Sequence, residues 1–317
     1  MDKRIISLLP SATEIVAALG LMEDLVGRSH ECDYPREVAK LPICTEARLN
    51  LNKPSREIDA DVQSLLQSAL SIYQLKTDVI EQLQPTHIIT QDQCDVCAVS
   101  FPEVERAVAS LISSQPQIIS LQPNLLKEVW ADLERVARVL DVPCEPVLQQ
   151  LQGRVRRIVS QTETLSEDNR PTVVALEWTE PLMGAGNWIP ELIEMSGGKP
   201  LLGRKGEHSP YLTWDTLSQA DPEVIIIMPC GFDLERTRQE SQVLTRHPDW
   251  NNLEAVKQGK VFITDGNAYF NRPGPRLVDS LEILAEILHP DGFNFNPPIP
   301  LPMMTISACS LFFIVFR

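Results

Sequence analysis

Long apolar runs are missing from this chain. The most apolar stretch, Met303 to Phe316, is only about 14 residues long, short of the roughly 20 that a membrane-spanning helix needs. We expect a disordered tail there rather than an anchor. Cations are also in short supply: 28 Lys and Arg stand against 43 Asp and Glu, a net charge of −15. That argues against a nucleic-acid backbone or an anionic membrane surface as partner, since both require clustered Lys and Arg. The seven Cys are odd in number and scattered, which fits a reducing compartment better than a disulfide framework. No basic segment followed by a long apolar one opens the chain, so the sequence as it stands reads as cytoplasmic, or as periplasmic if its N-terminus is truncated. Enzyme signatures are scarce too. There is no G-x-S-x-G elbow and no G-x-x-x-x-G-K-[ST] loop. Gly184-Ala185-Gly186-Asn187 begins like a dinucleotide fingerprint but lacks its third Gly and its acidic partner.

The stretch around which the chain is organised is helical, from about Asn124 to Glu167. Leu125, Leu126, Val129, Trp130, Leu133, Val136, Ala137 and Leu140 share one face at the helical period. After the break at Pro143 and Pro146, Val147, Leu148, Leu151, Val155, Ile158, Val159, Thr162 and Leu165 repeat the pattern. At 1.5 Å per residue the second helix predicts a rod roughly 30–35 Å long. On either side, strands and helices alternate. At 317 residues there is enough chain for two cores. The expectation is an N-terminal α/β lobe over 1–143, a connecting helix over 144–167, a C-terminal α/β lobe over 168–292 and a tail over 293–317, with a ligand cleft between the lobes.

Particular elements follow from local chemistry. Ser11-Ala12-Thr13-Glu14 has the form of a capping box opening a helix that Gly20 ends. Asn50 to Arg56 reads as a loop before a helix from about Asp59 to Ser71. His87-Ile88-Ile89 and Val224 to Ile227 are apolar without alternation, the mark of strands buried on both faces of a parallel sheet. Ile189 to Met195 and Trp214 to Ala220 read as helices, Leu201 to Leu212 as a Gly-rich polar loop, and Asp233 as a helix cap. Leu277, Val278, Leu281, Leu284 and Leu288 mark one face of a last helix.

In open parallel sheets, ligands bind beyond the carboxyl ends of the strands. Those ends collect Tyr34, Gln91, Trp178, Phe232, Tyr269 and Phe270, a selective set in a chain with only 6% aromatics. Broad flat ligands are held by aromatic area and a few orienting polar groups. Trp178 and Phe232 read equally as core residues beneath the loops. Three other readings stay open. Cys94-Asp95-Val96-Cys97, with Cys32 and His30, would suit a thiol- or metal-dependent enzyme. His30, His87 and His208 would bind a transition metal if they converged. Glu177 and Glu180 are paired carboxylates that a solvated strand end explains as well.

Arg4-Ile5-Ile6-Ser7-Leu8-Leu9-Pro10-Ser11-Ala12-Thr13-Glu14 resembles the opening of cobalamin and ferric-siderophore solute-binding proteins of ABC importers. So do Val26-Gly27 through Cys32-Asp33-Tyr34-Pro35, Asp221 to Ile225, and Arg272-Pro273-Gly274-Pro275-Arg276. The Thr90 to Ser100 loop is similar to the cobalamin-binding branch. The resemblance implies two Rossmann-like α/β lobes on one long helix (the class III periplasmic-binding-protein type), no catalysis and no resident cofactor. It implies a monomer that holds a corrinoid against aromatics and delivers it to an ABC permease, with a ferric-siderophore or haem ligand as the alternative. By motif, Trp178, Tyr211, Tyr269, Phe270 and Arg272 become contact residues, and Glu57 and Asp215 become permease-docking acids. Members of the cobalamin branch often carry aromatics where this chain has Glu31 and Glu46.

Overall fold

A computed structural model describes residues 2–68, 71–92, 99–111, 113–293, 295 and 304–305. The Cys94/Cys97 pair and most of the apolar tail lie outside the described residues. The chain forms two compact units, one of Met1–Lys53, Glu57–Pro123 and Lys127–Gln149, the other of Pro54–Arg56, Asn124–Leu126 and Gln150–Arg317.

The first unit runs β1 (Ile5–Ser7), α1 (Pro10–Ala18), β2 (Leu25–Arg28), β3 (Thr45–Ala47), α2 (Ser55–Gln67), β4 (Tyr73–Leu75), α3 (Thr77–Leu83), β5 (His87–Gln91), α4 (Phe101–Leu111), β6 (Gln117–Leu121) and α5 (Leu126–Val139). Its main sheet has the order β2-β1-β5-β6 and is parallel throughout. Ile6, Leu8, Ile80, Ile88 and Val104 belong to its buried core. The unalternating apolar run of β5 is explained by that burial on both faces. The antiparallel pair β3–β4 was not expected from the sequence, since each strand is three residues long and shows no clear period.

The boundary between the units falls inside α6 (Glu145–Thr162). At 18 residues this helix is about 27 Å long, shorter than the sequence predicted. It ends at Thr162, whose hydroxyl donates to the carbonyl of Met195 at 2.7 Å.

The second unit runs β7 (Thr172–Trp178), β8 (Met183–Gly184), α7 (Ile189–Met195), β9 (Lys199–Leu201), α8 (Trp214–Ala220), β10 (Val224–Ile227), α9 (Leu234–Glu240), α10 (Gln242–Thr245), α11 (Glu254–Lys257), β11 (Val261–Ile263), α12 (Leu277–Leu288) and β12 (Met304–Thr305). Strands β7, β10 and β11 are parallel neighbours. β9 joins β7 in parallel, and β8 and β12 close the sheet antiparallel. Every residue of β10 is buried. Met304–Thr305, expected to be part of a disordered tail, pairs with β11.

Three local expectations are corrected. The capping box does not form: α1 starts at Pro10, so Ser11 already lies in its first turn and Leu9, which has no capping side chain, is the N-cap. Pro at the first helical position needs no N–H partner, which moves the start upstream. Helix α2 begins at Ser55, four residues earlier than read, because Ser55 and Arg56, read as the end of a polar loop, form its first turn. Asp233 does cap α9, its carboxylate accepting from the Arg236 amide at 2.8 Å. Helix α12 is buried nearly all round rather than along one face. Among the described residues, no helix is long and apolar enough to cross a membrane.

Candidate functional site

Parallel strands bring the loops after their carboxyl ends to one edge of each sheet. In the first unit that edge carries the Ser29 to Tyr34 loop after β2. Arg28 builds it. Its buried guanidinium donates to the carbonyls of Ser29 (2.9 Å), His30 (3.4 Å), Cys32 (3.1 Å) and Ala39 (3.4 Å). Arg28 is thus a brace for its own loop. The loop presents Tyr34, which is 47% exposed. Gln91, at the end of β5, is buried.

Next to this loop lies a polar cluster. The Tyr73 hydroxyl donates to Glu31 at 2.6 Å. His30 meets Thr45 through both its main-chain N–H (3.0 Å) and its ring Nδ1 (2.7 Å), and its ring packs edge-on against Tyr73. Burial, then the charges of Lys76 and Arg28, hold the His30 pKa below its ordinary value. The neutral imidazole is therefore the favoured form. Gln74 donates to Glu46, and Lys76 pairs with Glu46 at 3.4 Å. Glu31 and Glu46 are thus engaged with neighbours of their own unit.

In the second unit the edge is richer in aromatics. Trp178, at the end of β7, is half-buried, with its ring 5.0 Å from that of Phe232. Phe232 is buried beneath it, with the Arg236 guanidinium 4.8 Å from its ring centre. Tyr211 is bridged through its backbone to Met183, while its side chain is 54% exposed. The third contributor is the Asp265 to Arg272 loop after β11. Asp265 accepts from the amides of Asn267 (3.0 Å) and Ala268 (2.7 Å). Burial pushes its carboxyl above the ordinary value. Asn271 donates to the carbonyls of Met228 and Gly266, both at 2.9 Å. Arg272 is buried and donates to the Asn267 side chain at 2.8 Å. A side chain at Gly266 would collide with the backbone of Met228 and Pro229, so the loop lies directly on the end of β10.

Phe270 and Arg272 therefore work from within. Phe270 is fully buried, so its ring supports the loop while Tyr269, half-buried under the Arg276 guanidinium, faces outward. Trp188, 82 residues away, and Ser280, in the helix that follows, fasten Phe270 through its carbonyl and amide and were missed from sequence because no local pattern links them to it. Glu177 was read only as half of a carboxylate pair. Its Oε2 accepts from the Ser209 hydroxyl at 2.7 Å, and burial pushes its pKa up.

Among the described residues, no group of three His, Cys, Asp or Glu side chains is placed to hold a metal ion. His87 instead pairs with Thr86 through Nδ1, at 2.8 Å. Cys32 accepts from the Thr13 hydroxyl at 3.0 Å. Glu57 and Asp215 are both exposed, in the first turns of α2 and α8.

Known proteins are similar to this chain over most of its length. An ABC transporter substrate-binding lipoprotein of Bacillus subtilis is 24% identical over 92% of this chain and 82% of its own length. The vitamin B12-binding protein of Photorhabdus laumondii is 21% identical over 91% of this chain and 89% of its own. The fold matches a periplasmic heme-binding protein from Pseudomonas aeruginosa with a TM-score of 0.71 at 18% identity, covering 98% of this chain and all of that one. Residues 5–268 match the periplasmic binding protein family, whose members bind solutes for ABC importers and are not enzymes, and the chain belongs to that family.

Proposed function

We propose that this solute-binding protein holds a corrinoid of the cobalamin type. The observation that carries the reading is the state of two arginines, Arg28 and Arg272; Arg204, the third near a strand end, is exposed and pairs with Glu207 at 3.9 Å. Arg28 and Arg272, at strand ends, are buried and donate to the protein's own oxygens. A ferric siderophore of the catecholate type, or the propionates of haem, would call for guanidinium groups aimed at the ligand. What the strand ends offer instead is aromatic area at Tyr34, Trp178, Tyr211 and Tyr269. That suits a broad ring whose rim is made of neutral amides. The relative from Photorhabdus laumondii, named for vitamin B12, supports the same choice, and the heme-binding neighbour supports the alternative.

We also infer that the protein delivers its ligand to an ABC permease, with Glu57 and Asp215 as exposed docking acids. Calorimetric titration with cyanocobalamin and, separately, with haemin tests the ligand. Saturable heat with cyanocobalamin and none with haemin is expected. The reverse result would replace corrinoid by haem.

A further inference from the structure

The segment from Gly203 to Leu212 has little apolar surface, yet it is fastened along its whole length. The Gly206 amide donates to Asn187 (2.8 Å), the Asn187 amide to Glu207 (2.6 Å), the Gly184 amide to Pro210 (3.0 Å) and the Leu212 amide to Leu182 (2.8 Å). The two backbones lie so close that a side chain at Gly186 would run into the carbonyl of Glu207, and one at Gly203 into that of Ala185. Gly184-Ala185-Gly186, the near-fingerprint of the sequence, is therefore a docking strip for protein backbone and not a cradle for phosphate.

A side-chain link crosses this strip. The Ser209 hydroxyl accepts from the Gly186 amide at 3.0 Å and donates to Glu177 Oε2 at 2.7 Å. Glu177 directly precedes Trp178, and Ser209 lies two residues before Tyr211. A chain of hydrogen bonds thus joins the segments that carry the two aromatics. The main-chain pairs set the course of the strip, and the acid at 177 adds a side-chain tie close to Tyr211 where an apolar residue would otherwise suit a half-buried strand end.

We propose that Glu177 is a positioning residue of the ligand site, fixing the Gly203–Leu212 segment against β7 through Ser209 and so setting where Tyr211 stands relative to Trp178. The proposal rests on the reading of these aromatics as ligand contacts. Holding the segment before the ligand arrives removes an ordering cost from binding, which lengthens the life of the complex.

Hydrogen exchange of the unliganded full chain tests the link without any ligand. In Ser209→Ala and Glu177→Ala, the amides of Gly186, Asn187, Gly206 and Leu212 should exchange about tenfold faster, the upper end of the loss expected for one ordinary hydrogen bond. Glu177→Gln, which keeps an acceptor oxygen, should restore protection. The amides of Val224–Ile227 should not change. Unaltered exchange in both alanine variants, or an equal rise throughout Val224–Ile227, would overturn the proposal. Stopped-flow binding with cyanocobalamin as the probe gives the second arm. Ser209→Ala should dissociate faster with association nearly unchanged, and wild-type dissociation would overturn the positioning role. Failure of the unmodified protein to bind cyanocobalamin would sink the corrinoid reading, while the exchange rates would still decide the link.

Discussion

The indole N–H of Trp188 donates to the carbonyl oxygen of Phe270 across 2.6 Å, although 82 residues separate the two in the chain. Both residues are buried. The bond fastens the loop that presents Tyr269 to the start of α7. The Ser280 hydroxyl accepts from the Phe270 amide at 3.0 Å, so both main-chain groups of Phe270 are engaged. This matters because Phe270 has φ of 69°, a left-handed backbone that a bulky residue adopts only when its surroundings impose it.

Trp188→Phe keeps most of the packing but removes the donor. The Phe270 carbonyl would then be buried without its partner, a loss of about 1–3 kcal/mol. Urea denaturation should show that drop, and cyanocobalamin affinity should fall with it. Full stability in the variant would mean that the bond does not hold the loop.

Arg154 on α6 offers a second test. It donates to both oxygens of Glu282, through Nε at 2.8 Å and a terminal nitrogen at 2.5 Å, and to Asp279 at 2.6 Å. Glu282 is buried, while Arg154 keeps some contact with water. Arg154→Ala strands a buried carboxylate, and a cost of about 3 kcal/mol is expected, the lower end of the range for breaking a buried pair. Tryptophan fluorescence in urea reads it. A loss below about 0.5 kcal/mol would class the cluster with ordinary surface ion pairs.

The pH dependence follows from His30. Its folded pKa lies below the ordinary 6.5, chiefly through burial and then through Lys76 and Arg28, with Glu46 opposing. Below 6.5 the unfolded chain therefore takes up a proton that the fold resists. The contribution of His30 is fully present above that value and is lost as pH falls toward the depressed one. His87 and His289 are lowered as well, so the same slope has three sources. His30→Gln should flatten the fall in the urea midpoint between about pH 7.5 and pH 5.5 without abolishing it. An unchanged slope would exclude His30 as a contributor.

Thiol labelling separates the cysteines by environment. Burial pushes the Cys44 thiol up to about 12, so almost none is thiolate at neutral pH. Cys32 is buried as well, whereas Cys230 is exposed. Iodoacetamide followed by peptide mass spectrometry should modify Cys230 in the folded protein, and Cys32 and Cys44 only after denaturation. Early labelling of Cys44 would show that the first unit opens on the timescale of the reaction.

Periodicity made the helices legible. The faces of α5 and α6 and the spans of α7 and α8 stand in the sequence because apolar spacing is a local property. Caps and short strands were less legible. Ser11 has the spacing of a cap, but Pro10 starts the helix first. β3 and β4 are each too short to show alternation and are fixed by pairing with one another.

The sequence by itself determined the alternation of strands and helices, the parallel buried strands and the collection of aromatics at strand ends, because each depends on residues near one another in the chain. Tertiary structure alone decided which of those residues face outward. Phe270 and Tyr269 are adjacent and chemically alike, yet one is fully buried and the other half-exposed. Arg28 and Arg272 carry charge that sequence reading could assign to a ligand, yet both are committed to oxygens of the protein itself. The physical reason is that burial and hydrogen-bond partners are set by residues distant in sequence, as Trp188 is from Phe270 and Ser209 from Glu177.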